Sequence, residues 1–268
     1  LARRSRSLLR PFLHDYEGFV SKLHITGSVL TGGSALHVLY PSMPAPDDLK
    51  VCASKETFFH IVAYLVHCEG YTPKLSRPRP SVSAYYADLT RDGHKIRIVR
   101  SPTSSPLHPI VCHWHTGLFG YLSPARFSVP YASLTTNRRA LVMGNHMDED
   151  GNMTSSLQDR IRVWQDDGWQ ITLRPPGSAA ERARCRGVAS PVCAVGRRHF
   201  GDSHCLSGPT HALRHRVLPA LAYDCDSEWT VFWWRGGRTC GANCYAGKTM
   251  VNAGHRPCLC AIVRTGSR

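Results

Sequence analysis

Thr31-Gly32-Gly33-Ser34-Ala35-Leu36 and, beyond a proline-bearing loop, Asp47-Asp48-Leu49-Lys50-Val51 decide how this chain is read. Gly27–Thr31 has the composition of a short strand. Gly32-Gly33 then predicts a turn, and Ser34 an N-cap for a helix over Ala35–Tyr40. Pro41, Pro44 and Pro46 place a loop next, and Leu49–Cys52 a second strand. The layout suits a nucleotide polyphosphate. Gly33 leaves room for backbone to approach a phosphate, and Ser34 offers a hydroxyl at a helix start. Alternate residues of the second strand share a face, where paired carboxylates would hold divalent ions.

Outward from this stretch, apolar residues from Leu8 to Leu23 fall at helical spacing, interrupted by Pro11. Lys55–Cys68 reads as a buried helix closed by Gly70. A loop rich in Pro and Ser (Pro73–Pro80) follows. Val82–Leu89 and Lys95–Arg100 read as strands, joined at Arg91-Asp92-Gly93 by a hairpin signal. The order αβαβαββ predicts an α/β or α+β core with a mixed sheet flanked by helices. Ile110–Leu122 is mixed, and Ser155–Gly168 reads as a helix with a glycine at its C-terminal end. After Thr172 no long periodic segment remains. The expected division is a domain over 8–145 and a loop-rich, basic Cys- and Arg-rich extension over 146–268.

At Gly33-Ser34 and Asp48 the chain resembles the nucleotidyltransferase fold, whose mark is Gly-Ser followed by Asp-hydrophobic-Asp/Glu. It looks closest to the uncharacterised nucleotidyltransferase-like domains of mushroom-forming fungi. Those also carry a short His- and Trp-containing segment, matched here by His113, Trp114, His115 and Thr116. The resemblance covers Val29 to Val142. It implies a phosphate cradle at Gly33 and Ser34 and a Mg²⁺-holding carboxylate at Asp48. The second carboxylate position is Lys50 and the third is Arg97. A cation cannot ligate Mg²⁺, which requires oxygen donors; Asp88, on the neighbouring strand, is a minor candidate to substitute, and one of the three carboxylates is kept. The expectation is therefore a catalytically impaired relative in which Lys50 and Arg97 grip nucleotide or another phosphate directly. The alternatives are an active Mg²⁺-dependent nucleotidyltransferase using Asp48, and a basic nucleic-acid-binding module.

Composition bounds these readings. Of 268 residues, 33 are Lys or Arg and 19 Asp or Glu, a net charge of +14 that attracts polyanions. The longest apolar run, Phe58–Val66, is far short of the roughly 18 residues of a membrane span. Only three of the eleven cysteines precede Cys185, which excludes a disulfide scaffold spread along the whole chain. A reducing cytoplasmic or nuclear setting is expected, although Ala2–Arg10 is basic in the manner of a transit peptide.

Other motifs have chemical meaning of their own. Cys240, Cys244, Cys258 and Cys260, near His255, meet the ligand count of a tetrahedral Zn²⁺. Ala242–Thr249 fits a relaxed phosphate loop, with Ala242 where its first Gly belongs. Cys112 and His113 would face opposite ways on a strand, whereas His113 and His115 would share a face. Trp164, Trp169, Trp229, Trp233 and Trp234 could stack bases beside Arg235 and Arg238. Asn152-Met153-Thr154 is a glycosylation sequon.

Overall fold

The computed structural model describes residues 1–75, 85–148, 152–177, 190–210, 231–238, 240 and 258–260. Two helices open the chain, α1 (Ala2–Leu9) and α2 (Tyr16–Thr26), where periodicity alone suggests one. Pro11 lies between them, and the Asp15 carboxylate starts α2 by accepting from Gly18 N at 2.9 Å. Gly27, at φ +62°, closes it. Then come β1 (Val29–Thr31), α3 (Gly32–Leu39), β2 (Asp48–Ala53), α4 (Phe58–His67) and β3 (Thr72–Leu75). The hairpin β4 (Tyr85–Arg91) and β5 (His94–Arg100) turns at Asp92-Gly93, where both φ angles are positive, as the dipeptide indicates. Residues 82–84, expected at its start, lie outside the described residues.

Helical 3₁₀ turns at His108–Cys112 and Thr116–Leu118 lead to β6 (Tyr121–Leu122) and β7 (Arg126–Val129). Next are α5 (Ala132–Thr135), β8 (Arg139–Leu141), α6 (Ser155–Asp166) and β9 (Gln170–Thr172). Thr154 caps α6, and Gly168 follows its end at φ +81°. The last elements are β10 (Arg198–His199), β11 (Leu206–Pro209), β12 (Val231–Trp233) and β13 (Cys258–Cys260).

The described residues fall into two compact units. The first comprises 1–110, 120–129 and 207–210; the second holds the rest. The chain passes between units several times, so the compact units do not follow a single cut near residue 145.

The first unit is a mixed α/β layer built on an eight-stranded sheet, in the order β11-β7-β6-β1-β2-β5-β4-β3. β2 and β5 run parallel; β1–β2, β1–β6, β6–β7, β3–β4 and β4–β5 run antiparallel. One face is apolar: Leu49, Val51, Ala53, Ala87, Leu89, Ile96 and Ile98 are all fully buried. Phe19 and Leu23 of α2 and Phe58, Ile61 and Leu65 of α4 join these strands in one core. This burial is the main force holding the unit together. The C-terminal part of the chain, expected as a separate extension, supplies the edge strand β11. Ser207 Oγ donates to Ser128 Oγ at 2.8 Å, and Thr210 N to Ala125 O at 3.0 Å.

The second unit has a three-stranded sheet, β10-β12-β13, and a two-stranded parallel ladder, β8-β9. Its interior holds Phe119, Tyr131, Phe200 and Trp233 in tilted and edge-on contacts. Arg198, only 2% exposed, lies over the Tyr131 ring and pairs with Asp202 at 2.5 Å and 3.0 Å. Its remaining donors reach Pro191 O and Pro130 O, so the buried charge is both neutralised and hydrogen-bonded. Among the described residues no helix is long and apolar enough to cross a membrane.

Candidate functional site on the polar face of the sheet

The side of β2, β5 and β4 opposite the core is charged over Asp48–Lys50, Lys95–Arg97 and Asp88–Thr90, where apolar and polar residues alternate. In β2 the apolar Leu49 and Val51 leave Asp48 and Lys50 to the other face. In β5, Ile96 and Ile98 leave Lys95 and Arg97; in β4, Ala87 and Leu89 leave Tyr86, Asp88 and Thr90. Register then sets the neighbours. Lys50 is the Cα partner of Arg97, Arg97 of Asp88, and Asp88 of Lys74. One step along, Asp48 partners Lys95. Four cations and two carboxylates therefore share one patch.

Arg97 and Asp88 form a bidentate pair, Nε to Oδ1 at 2.6 Å and Nη2 to Oδ2 at 3.0 Å. Lys95 Nζ adds a third contact to Asp88 Oδ2 at 3.5 Å. The hydrogen bonds from Arg97 hold the Asp88 carboxyl below the usual carboxylate range, and the same bonds raise the Arg97 guanidinium above its own. The guanidinium also lies 4.8 Å above the Tyr86 ring. Asp88 thus reaches the expected face, but Arg97 and Lys95 occupy its oxygens. That corrects its reading as a substitute metal carboxylate.

The first turn of α3 differs from expectation. Gly32 and Gly33 are helical residues, Thr31 is the N-cap and Ser34 lies inside the helix. The conformation that demands glycine is at Gly32, with φ +62°; at Gly33 a Cβ would only touch the Pro46 Cβ at 3.5 Å. Ser34 is 1% exposed. Its hydroxyl accepts from Lys50 N at 3.0 Å and donates to Asp48 O at 3.4 Å. It therefore fastens α3 to β2. The structure brings Gly33, Ser34, Asp48, Lys50 and Arg97 onto adjoining elements of one unit. Sequence reasoning passed over Lys95 and Tyr86, which the alternation in β5 and β4 would have revealed.

The remaining candidates lie in the second unit. Cys112 ends a 3₁₀ turn rather than sitting on a strand. His115 is buried between Trp114 and Trp164, with ring centroids at 4.2 Å and 4.5 Å, so it does not share an open face with His113. Gly117 N donates to His115 Nδ1 at 3.1 Å, and Nε2 has no partner. Burial, then Arg160 and His146, push the imidazole down to about 3. Trp169 and Trp233 are interior, which removes them as base-stacking platforms. Arg235 is 1% exposed and donates to Val142 O, Leu173 O and Arg238 O. It belongs to the interior and not to an Arg face, while Arg238 is half-buried and donates to Asn152 Oδ1. Cys240 is buried beside Cys193, a neighbour the sequence did not suggest. Cys258 and Cys260 lie on β13 opposite Trp233 and Val231. Cys244, His255, Trp229 and the Ala242–Thr249 stretch lie outside the described residues. Among the described residues no group of three or more His, Cys, Asp or Glu side chains could hold a metal ion.

Comparison with models of known protein families, with curated proteins and with solved structures finds no match to this chain.

Proposed function

We propose that the sheet unit is a nucleotidyltransferase-like domain that binds nucleotide, or another phosphate compound, without catalysing metal-dependent transfer. The observation that carries this reading is the register Lys50–Arg97–Asp88, with Asp48 one step away. Two-metal phosphoryl transfer needs carboxylates converging on the ions. Here one carboxylate stands among cations, and the other is bound by two of them. Planar guanidinium and compact ammonium groups on one face suit phosphate oxygens.

Phosphate oxygens would displace or share the donors that Asp88 now holds, while the opening of α3 abuts the same end of β2. Tyr86 supports the guanidinium from beneath.

Calorimetric titration with ATP tests this. The expected result is binding that is indifferent to Mg²⁺ and about tenfold weaker in Lys50→Ala and in Arg97→Gln, a change of about 1.4 kcal/mol each. Nucleotidyl transfer that requires Mg²⁺ and is lost in Asp48→Ala would establish the active enzyme instead. Absence of binding under both conditions would overturn the proposal.

A further inference from the structure

Arg97 stands on the middle of three neighbouring strands, with Lys50 across from it on β2 and Asp88 across from it on β4. Asp88 takes the guanidinium by its edge: Nε donates to Oδ1 and Nη2 to Oδ2. Lys95, two residues before Arg97 on β5, approaches Oδ2 as well. This two-pronged grip is the geometry in which arginine also receives a phosphate. The carboxylate thus occupies the donors that a phosphate group needs. The cluster is open to solvent: the side chains of Asp88, Arg97 and Lys95 are 21%, 30% and 37% exposed, so an incoming anion can reach them. The Tyr86 ring, 4.8 Å from the guanidinium, supports the fork whichever anion it binds.

A single phosphate that displaced Asp88 would exchange one charge-assisted fork for another and gain little. A chain of two or more phosphates is different. Adjacent strands lie about 4.8 Å apart, so Lys50 comes within reach of a second phosphate while the first engages Arg97. Asp88 stands two strands from Lys50, about 9.6 Å across the sheet, and has no second anionic group to offer there.

We infer, resting on the phosphate-binding reading of this face, that Asp88 is an internal anion that competes for Arg97 and so sets the ligand class. Polyphosphates enter, and single phosphates are turned away. Neutralising Asp88 removes the competitor and leaves Lys50, Lys95 and Arg97 in place. Binding then tightens, most of all for the smallest anion.

Calorimetric titration of the parent, Asp88→Asn and Asp88→Ala with ATP and with inorganic phosphate tests this, without Mg²⁺ and at fixed ionic strength. The parent is expected to bind ATP well ahead of phosphate. Both variants are expected to bind phosphate about tenfold tighter, the scale of one charge-assisted hydrogen bond, and to improve less for ATP. The gain disappears when Arg97→Gln is added. Glu56→Gln, which removes an equal charge from an exposed position before α4, leaves both affinities unchanged. On the unsubstituted chain, the Arg97 Nε–H resonance shifts with ATP and not with an equal concentration of phosphate, a readout that needs neither variant to fold. Equal shifts with both ligands would overturn the inference. Variants that bind no tighter than a parent that does bind ATP would show that Asp88 orients Arg97 instead of competing for it, which sinks the inference and spares the reading beneath it. A gain that persists without Arg97, or an ATP preference undiminished in the variants, sinks it too. Binding by the variants alone would uphold the competition and remove phosphate binding from the parent. Silence in all three chains would overturn both.

Discussion

Ser34 Oγ meets two backbone groups of β2 that β1 leaves behind when the chain turns into α3 at Gly32. β1 pairs with β2 only through Val29–Cys52 and Leu30–Val51. The next groups on that side of β2 are Lys50 N–H and Asp48 C=O. One hydroxyl serves both, as acceptor from the first and donor to the second. Ser34→Ala is therefore expected to cost about 1–3 kcal/mol by removing the acceptor of Lys50 N–H and the donor to Asp48 C=O. Urea unfolding monitored by circular dichroism would show it as a lower midpoint. A midpoint equal to the parent's would mean that water replaces the hydroxyl. This role was not legible in the sequence. Ser after Gly-Gly has the composition of a cap, whereas α3 starts at Gly32 and Ser34 lies inside it.

Between elements, a carboxylate fastens the start of α2 to the sheet. Glu69, 2% exposed, follows α4 and accepts from His14 N at 2.6 Å and Asp15 N at 3.1 Å. Arg91, at the end of β4, reaches the same carboxylate at 3.2 Å and also donates to Phe12 O. Tyr71 Oη donates to Phe12 O at 2.7 Å, beneath the Arg91 guanidinium. Glu69→Ala leaves two amides without their acceptor and removes the buried carboxylate that pairs with Arg91, so a loss of about 3–5 kcal/mol is expected. Hydrogen exchange should show α1 and α2 opening before the β4–β5 hairpin; uniform exchange would show that the tie is dispensable. The β2, α4, β4 and β5 elements could be read in advance because their apolar residues follow strict periods of two or 3.6. Asp92-Gly93 then fixed the hairpin. Apart from α6, the second unit could not be read that way. Its strands are two or three residues long, and two of its interior anchors, Arg198 and Arg235, count as surface charge in any tally of composition. The face bearing Asp48, Lys50 and Arg97 was legible from alternation. The pairing of Asp88 with Arg97 required the register.

Over the whole molecule, acid is expected to act through His115. The folded protein withholds a proton from this imidazole down to about pH 3, while the unfolded chain takes one up near 6.5. Between those values the unfolded state binds more protons, so stability falls as pH drops, approaching about 1.4 kcal/mol per pH unit for this single group. Above about pH 6.5 the contribution is constant. Trp114 and Trp164 pack on the ring, so tryptophan fluorescence during denaturant titration at pH 7 and pH 5 would report the change. His115→Phe should flatten the difference; an unchanged slope would assign the acid sensitivity elsewhere.

The order of the large sheet leaves β3 at one end. Its Thr72, Pro73 and Lys74 are exposed. A proline has no N–H to offer an incoming strand, and an ammonium group beside it resists dehydration. At this edge, copies of the protein are denied a sticky border. The sheet can accumulate apolar strands in its middle without the β3 edge becoming a seed for end-to-end polymerisation.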